Sequence, residues 1–300
     1  MQLFYFKDPL GNFGDDLNPW LWNQLIPKVI DNNPDEVFVG VGTLINHRLP
    51  SDPVKHIFGS GFGYGYLPTI DQKFNFHAVR GHHTARMLGL PAEKVITDSA
   101  ILVSTLFDVK KNEKKWRFGF MPTGKTIETF DWRKICEDMG INYISCHLPV
   151  IDALREISYC DVMLCEAMHA AIVADSLNIP WIAVRCQGDI LEFKWSDWLS
   201  SVDMTYKPND IPEVFGKRNL SLAAETKNVV KQMMFNSGMW SDRWSRPLPS
   251  TSSQRDIDYA AQKLEKIMSA DPQLSSDKIK CLHVERYLSL IDRINMTYGS

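Results

Sequence analysis

Three short stretches of this 300-residue chain gather side chains able to bind anions or move protons, each next to glycine or small residues that let a ligand approach. The first is Gly11-Asn12-Phe13-Gly14-Asp15-Asp16-Leu17-Asn18. Its glycines permit a tight turn, and Asp15 or Asp16 suits the free N–H groups at the start of a following helix. Capping accounts for one carboxylate, not for two beside two amides. Asn12, Gly14, Asp15, Asp16 and Asn18 are therefore candidate ligand contacts. The spacing is neither a Walker loop nor G-x-G-x-x-G, so nucleotide binding does not follow from it.

The second stretch is Arg80-Gly81-His82-His83-Thr84. A guanidinium presents a planar fork matched to carboxylate or phosphate, which makes Arg80 a candidate anion ligand with Thr84 beside it. His82 and His83 are equally well explained as exposed polar residues of a first helical turn. The third is Cys165-Glu166-Ala167-Met168-His169-Ala170-Ala171, where a strand turns into an apolar helix. A lone histidine is more often a satisfied core residue, but here Ala170 to Ala174 supply the buried face and His169 is the polar exception. A ring nitrogen there can take and return a proton near neutral pH, so His169 is the candidate acid/base. Glycine turns at Gly40-Val41-Gly42-Thr43 and Gly59 to Gly65 either admit a bulky substrate or are simply tight; Gly42 is retained as a candidate contact. Trp195, Trp198, Trp240 and Trp244 could stack on sugar rings, although tryptophans are more often core.

These residues need a scaffold that brings strand ends together. Short β-branched or aromatic runs alternate with helical ones: strands at 3–7, 36–42, 56–61 and 76–80, helices at 17–26 and 82–88, and 96–103 completing the unit. The run Lys110-Lys111-Asn112-Glu113-Lys114-Lys115 reads as a solvated linker. After it the alternation restarts, with strands at 116–121, 142–146, 161–165 and 181–185 and helices at 131–139, 150–158 and 169–177. Strands separated by single helices require crossovers, which give parallel sheets. The expected fold is α/β, with Rossmann-like domains over 1–110 and 111–235. A loop and helical tail over 236–300 is expected to pack back across them, with helices near 221–234, 254–270 and 276–294. In such sheets ligands bind beyond the carboxyl ends of the strands, where all three polar stretches fall.

Length and composition fit two globular domains: 44% hydrophobic and 23% charged residues. A formal charge of -3 from 33 basic and 36 acidic residues offers no footprint for nucleic acid. No apolar run approaches the roughly 20 residues of a membrane helix, and the N-terminus lacks a secretory signal, so a cytoplasmic location is expected. Six cysteines without a C-x-x-C pair read as buried thiols and argue against zinc.

Together the motifs resemble the polysaccharide pyruvyl transferase family, in order as well as in kind. Asn12-Phe13-Gly14-Asp15-Asp16 is similar to its G-N-x-G-D turn, Val41 to Leu44 to its second glycine turn, and Arg80 to Thr84 to its arginine segment. Asp98-Ser99-Ala100 resembles its Asp-Pro-Ala, and Met168-His169 its Arg-Leu-His signature. Leu3 to Phe6 through Trp20-Leu21-Trp22 are particularly like the succinoglycan-type ketal transferases. The resemblance spans about residues 1 to 190. It implies a GT-B-like pair of domains facing across a cleft, and phosphoenolpyruvate as donor, with no further cofactor and no metal. It also implies a saccharide acceptor, lipid-linked or polymeric, which leaves room for peripheral association with the inner face of the membrane. One departure stands out: where the signature has arginine, this chain has Ala167. The anion-binding role passes to another residue, for instance Arg185, His82 or Lys125, or is absent. The same fold would also serve a glycosyltransferase using a nucleotide-sugar, and the loss of that arginine would suit a non-catalytic subunit of a polysaccharide-assembly complex.

Overall fold

Four apolar runs, each too short for a helix to bury a face, form the first sheet of the computed structural model, which describes residues 1–109, 112–188, 190–217, 222–237 and 247–299. Strands β1 (Gln2–Phe4), β2 (Glu36–Val39), β3 (Val54–Phe58) and β4 (Phe74–Ala78) pair in parallel in that order. Only the first crossover is helical. Helix α1 (Phe13–Leu25) joins β1 to β2, whereas the connections from β2 to β3 and from β3 to β4 carry no helix, so the alternation expected from sequence is thinner here. After α2 (His82–Met87) the segment 96–103 holds no strand. It forms a 3-10 turn at Ser99–Leu102 and the short α3 (Val103–Leu106).

The second sheet is built from β5 (Trp116–Met121), β6 (Asn142–Tyr143), β7 (Cys160–Cys165), β8 (Trp181–Arg185) and β9 (Asn209–Asp210), all parallel in the order β6-β5-β7-β8-β9. Its connections carry α4 (Gly124–Thr129), α5 (Arg133–Asp138), α6 (Val150–Ser158), α7 (Met168–Ser176) and α8 (Glu192–Ser201). The described part of the charged linker is anchored. Lys114 Nζ donates to the Ser158 and Cys160 carbonyls at 3.0 and 2.6 Å, and Asn112 to the Ser158 hydroxyl at 2.7 Å. Lys110 and Lys111 lie outside the described residues.

Over Ala170 to Ala174 helix α7 is apolar all round, as a stretch buried on every side must be: these residues are all inaccessible or nearly so. It packs against α1, α3 and α6, and one apolar cluster runs from Leu17, Leu21 and Trp22 through Leu154 and Ile157 to Ala170 and Val173. The start of α1 and the start of α7 are thereby set side by side. Trp22 fixes the α1 end of this core edge-on to Phe38 and Phe58, with ring centroids 4.7 and 5.7 Å away. Trp195 and Trp198 are buried against Trp181 rather than offered to a ligand; Trp240 and Trp244 lie outside the described residues. Five cysteines are buried free thiols and Cys281 is exposed.

The tail consists of α9 (Leu222–Asn236), α10 (Gln254–Ile267) and α11 (Asp277–Tyr298). At 1.5 Å per residue α11 extends about 33 Å, and it touches both sheets' territory. His283 Nε2 meets the Ser201 carbonyl at 2.7 Å, Arg286 donates to the Val95 carbonyl at 2.8 Å, and the Tyr287 hydroxyl donates to the Thr97 carbonyl at 2.5 Å. Further along, Asn295 reaches the Leu25 carbonyl at 3.3 Å.

Candidate active site

The turn leading into α1 is organised by Asn12. Its side-chain oxygen accepts from the backbone N–H groups of Gly14 and Asp15, at 3.1 and 3.4 Å, while Asp16 accepts from the Asn12 N–H at 3.0 Å. This reciprocal cap satisfies orphan donors at both positions. The cap expected from an aspartate is therefore Asn12, with Asp16 in support. The Asp15 carboxylate is left without a hydrogen-bond partner among the described residues. Asn18, a candidate ligand contact, does not line the cavity described below. It is fully buried, its amide donating to the Asp15 and Val41 carbonyls at 3.0 Å each and its oxygen accepting from the Val41 N–H at 2.8 Å, so it ties α1 to the loop after β2.

Gly14 must be glycine, because the His169 ring lies directly on it. A Cβ there would stand 2.0 Å from His169 Nδ1. Gly42 adopts φ +115 and brings the next loop near the same ring, where a Cβ would stand 3.9 Å from His169 Cε1 and 3.8 Å from an Asp15 carboxylate oxygen. The imidazole of the second sheet's α7 thus lies against one loop of the first sheet and close to another.

Behind the ring sits Asp98, a residue not among the candidates from sequence. It is fully buried, and its Oδ1 accepts from the Ala100 N–H at 3.0 Å. Its Oδ2 has no hydrogen-bond partner and lies 3.8 Å from His169 Nε2, which is buried and equally unpartnered. Two orphaned polar atoms facing each other in a closed space are costly unless they close on one another. A hydrogen bond there would commit Nε2 to Asp98 and leave Nδ1 on the side of Gly14 and Asp15. Burial pushes the Asp15 carboxyl up to about 6, against the pull of the His169 and Lys194 charges.

Asp15 and His169 line a cavity of about 730 Å³, while Asp16, Asn18, Gly42 and Asp98 do not line it. The β1–α1 turn contributes Asn12, Gly14 and Asp15, the loop after β2 contributes Thr43 and Arg48, and α7 contributes Met168 and His169. Tyr64 and Lys194 also line it side by side, the ammonium donating to the phenol at 3.1 Å. On the second sheet, buried Glu166 ties the strand ends together, accepting from the N–H groups of Thr123 and Cys186 and from the Thr126 hydroxyl at 2.9, 3.0 and 3.0 Å. Burial raises its carboxyl despite these donors.

Three further candidates, Arg80, Thr84 and Arg185, do not line the cavity either. Arg80 does not face the cavity: it is fully buried and paired with Asp197 of α8 at 2.9 Å. Its remaining donors go to the Thr43 hydroxyl at 2.7 Å and the Phe62 carbonyl at 2.9 Å. Thr84 is buried with it, its hydroxyl and N–H both donating to Asp197 at 2.7 Å. Arg185 is held by Asp210 and Glu192. Strand-end position suggested Arg80, with Thr84 beside it, and the resemblance suggested Arg185 in place of the arginine absent at Ala167; what sequence could not show is the carboxylate that meets each one. Among the described residues no cluster of three or more His, Cys, Asp or Glu side chains is placed to hold a metal ion.

The model of the polysaccharide pyruvyl transferase family matches residues 10–188, a span that includes the Asn12 turn, Asp98 and His169 but stops short of α8. The succinoglycan biosynthesis protein ExoV of Rhizobium meliloti (strain 1021) is 32% identical over 328 residues, covering 99% of this chain and all of that protein. No solved structure matches. With the family model matching more than half of the chain and the ExoV relative matching nearly all of it, the protein belongs to the polysaccharide pyruvyl transferase family and is an enzyme of that type.

Proposed function

We propose that the enzyme transfers the pyruvyl group of phosphoenolpyruvate onto a sugar diol during exopolysaccharide synthesis, forming a pyruvate ketal. His169 moves the proton. The name of the ExoV relative supports a surface polysaccharide as the destination. The acceptor is the polymer or its lipid-linked precursor, met in the cytoplasm at the inner face of the membrane. The arrangement is read as GT-B-like, with donor and acceptor between two Rossmann-like units.

One observation carries the chemistry. The His169 ring lies over Gly14 with the unpartnered Asp98 oxygen behind Nε2 and the Asp15 carboxylate on the cavity side. At 3.8 Å the contact with Asp98 is longer than a hydrogen bond, and catalytic contacts of this kind commonly tighten when substrate binds. In the scheme His169 protonates the methylene carbon of phosphoenolpyruvate, turning it into the ketal methyl and leaving an oxocarbenium-like centre. One sugar hydroxyl attacks that centre and gives its proton to ionised Asp15. Phosphate then leaves with the C–O bond pair, and the neighbouring hydroxyl adds to the same carbon, its proton passing to phosphate. The scheme calls on no cofactor beyond the donor.

Phosphate release from phosphoenolpyruvate, measured against lipid-linked or aryl glycosides bearing a galactose, glucose or mannosamine diol, tests the reaction. His169→Ala should lower the rate about 10²–10⁴-fold, the usual worth of a positioned proton transfer, while circular dichroism and Tm stay near wild type. A variant that turns over at near-normal rate would refute the assignment.

A further inference from the structure

Besides His169, three cations line the cavity: Lys7, Arg48 and Lys194. They differ in setting. Lys7 and Arg48 are exposed, and Lys7 stands 5.4 Å over the Tyr5 ring. Lys194 is half-buried on α8, with the Tyr64 hydroxyl as its hydrogen-bond partner and no carboxylate within ion-pair distance among the described residues. The arginines near this helix are each matched to an acid, Arg80 to Asp197 and Arg185 to Asp210 and Glu192. At the start of α7, beside His169, residue 167 is an uncharged alanine that also lines the cavity.

An ammonium with no carboxylate within ion-pair distance is stabilised by any anion that enters its cavity. The field of Lys194 falls on the reacting groups, since it acts on Asp15, which in turn senses His169. Its position is fixed from behind. Three residues further along α8, Asp197 is locked to Arg80 and Thr84 of the first unit, and Phe193 packs edge-on to Phe62 at 5.8 Å.

We infer that Lys194 grips the anionic end of the donor, carboxylate or phosphate, with the Asp197, Arg80 and Thr84 cluster as its positioning device. This rests on phosphoenolpyruvate being the donor. The cation that seats the donor thus comes from α8, and the buried Arg80 acts through the helix rather than on the ligand.

Calorimetric binding of phosphoenolpyruvate, inorganic phosphate and pyruvate to wild type, Lys194→Gln and Lys194→Arg, with steady-state KM and kcat alongside, tests it. Lys194→Gln should weaken phosphoenolpyruvate binding and raise its KM about tenfold or more, as expected for a lost charge-assisted hydrogen bond. The change in kcat should be smaller, and Lys194→Arg should recover most of the loss. Added salt should weaken wild-type binding more than that of Lys194→Gln. A larger loss for phosphate than for pyruvate assigns the ammonium to the phosphate end, and the reverse assigns it to the carboxylate. Wild type binding phosphoenolpyruvate while Lys194→Gln binds it within twofold, or a fall in kcat at unchanged KM, would overturn the role of Lys194. A wild-type enzyme with no affinity for phosphoenolpyruvate would instead overturn the donor.

Discussion

Asp15 is the residue whose behaviour most directly separates a working carboxylate from a structural one. Its neighbours Asn12 and Asp16 carry the helix cap, so Asp15 has no structural bond to justify its place. Burial lifts its carboxyl from the ordinary 3.8 to about 6, so the folded protein holds this proton more tightly than the unfolded chain does. The resulting stabilisation is present at low pH, declines as pH rises between those two values, and is gone above about 6. Asp15→Asn should therefore raise Tm by about 2 °C at pH 8, with the gain shrinking toward pH 4, since roughly 1 kcal/mol is expected for a partly solvated group. The same variant should lose transfer activity, and the wild-type kcat/KM should fall on the acid side with a midpoint near 6. A differential scan across pH beside a pH–rate profile checks both halves.

At the scale of elements, legibility in the sequence followed how local each signal was. Strand β5, helix α6 and strand β8 lie where periodicity places them, because their apolar runs are bounded by polar or glycine-containing turns. The start of α7 was legible for the same reason, and with it His169. Helix α8 was missed although Trp195, Trp198, Leu199 and Val202 follow the helical spacing and are all buried; its tryptophans drew attention as ring platforms instead. That omission hid Asp197 and Lys194, and so the reason for Arg80. A strand-end arginine looks alike in sequence whether it faces a ligand or a carboxylate 117 residues away. Removing that carboxylate should be expensive. Asp197→Asn leaves a buried guanidinium without its counter-charge and should cost about 3–5 kcal/mol in denaturant unfolding. Because α8 carries Lys194, the surviving enzyme should show a raised donor KM with a smaller change in kcat. Equal loss of both would mean that the cluster only holds the fold together.

At the scale of the whole molecule, the distance that matters spans three parts of the chain: Asp98 from the first unit, His169 from the second, and α11 behind them. Composition and periodicity could show that a helical tail exists, but not that Tyr287 ends on the carbonyl immediately before Asp98. Its ring is fully buried against Phe58, and its hydroxyl occupies the space a side chain at Gly59 would need, 2.2 Å from where a Cβ would stand. The tail therefore sets the height of the Asp98 turn beneath the His169 ring. Tyr287→Phe keeps the packing and gives up one hydrogen bond, so about 1 kcal/mol of stability should go, together with a measurable fall in kcat if the turn shifts. Tyr287→Ala also opens a cavity and should cost about 3–5 kcal/mol. The informative comparison is kcat of the Phe variant well below its Tm: a fall there, at unchanged donor KM, is the signature of an imidazole that has lost its alignment with Asp98. A rise in KM instead would mean that α11 acts by holding the two units together and not by supporting Asp98.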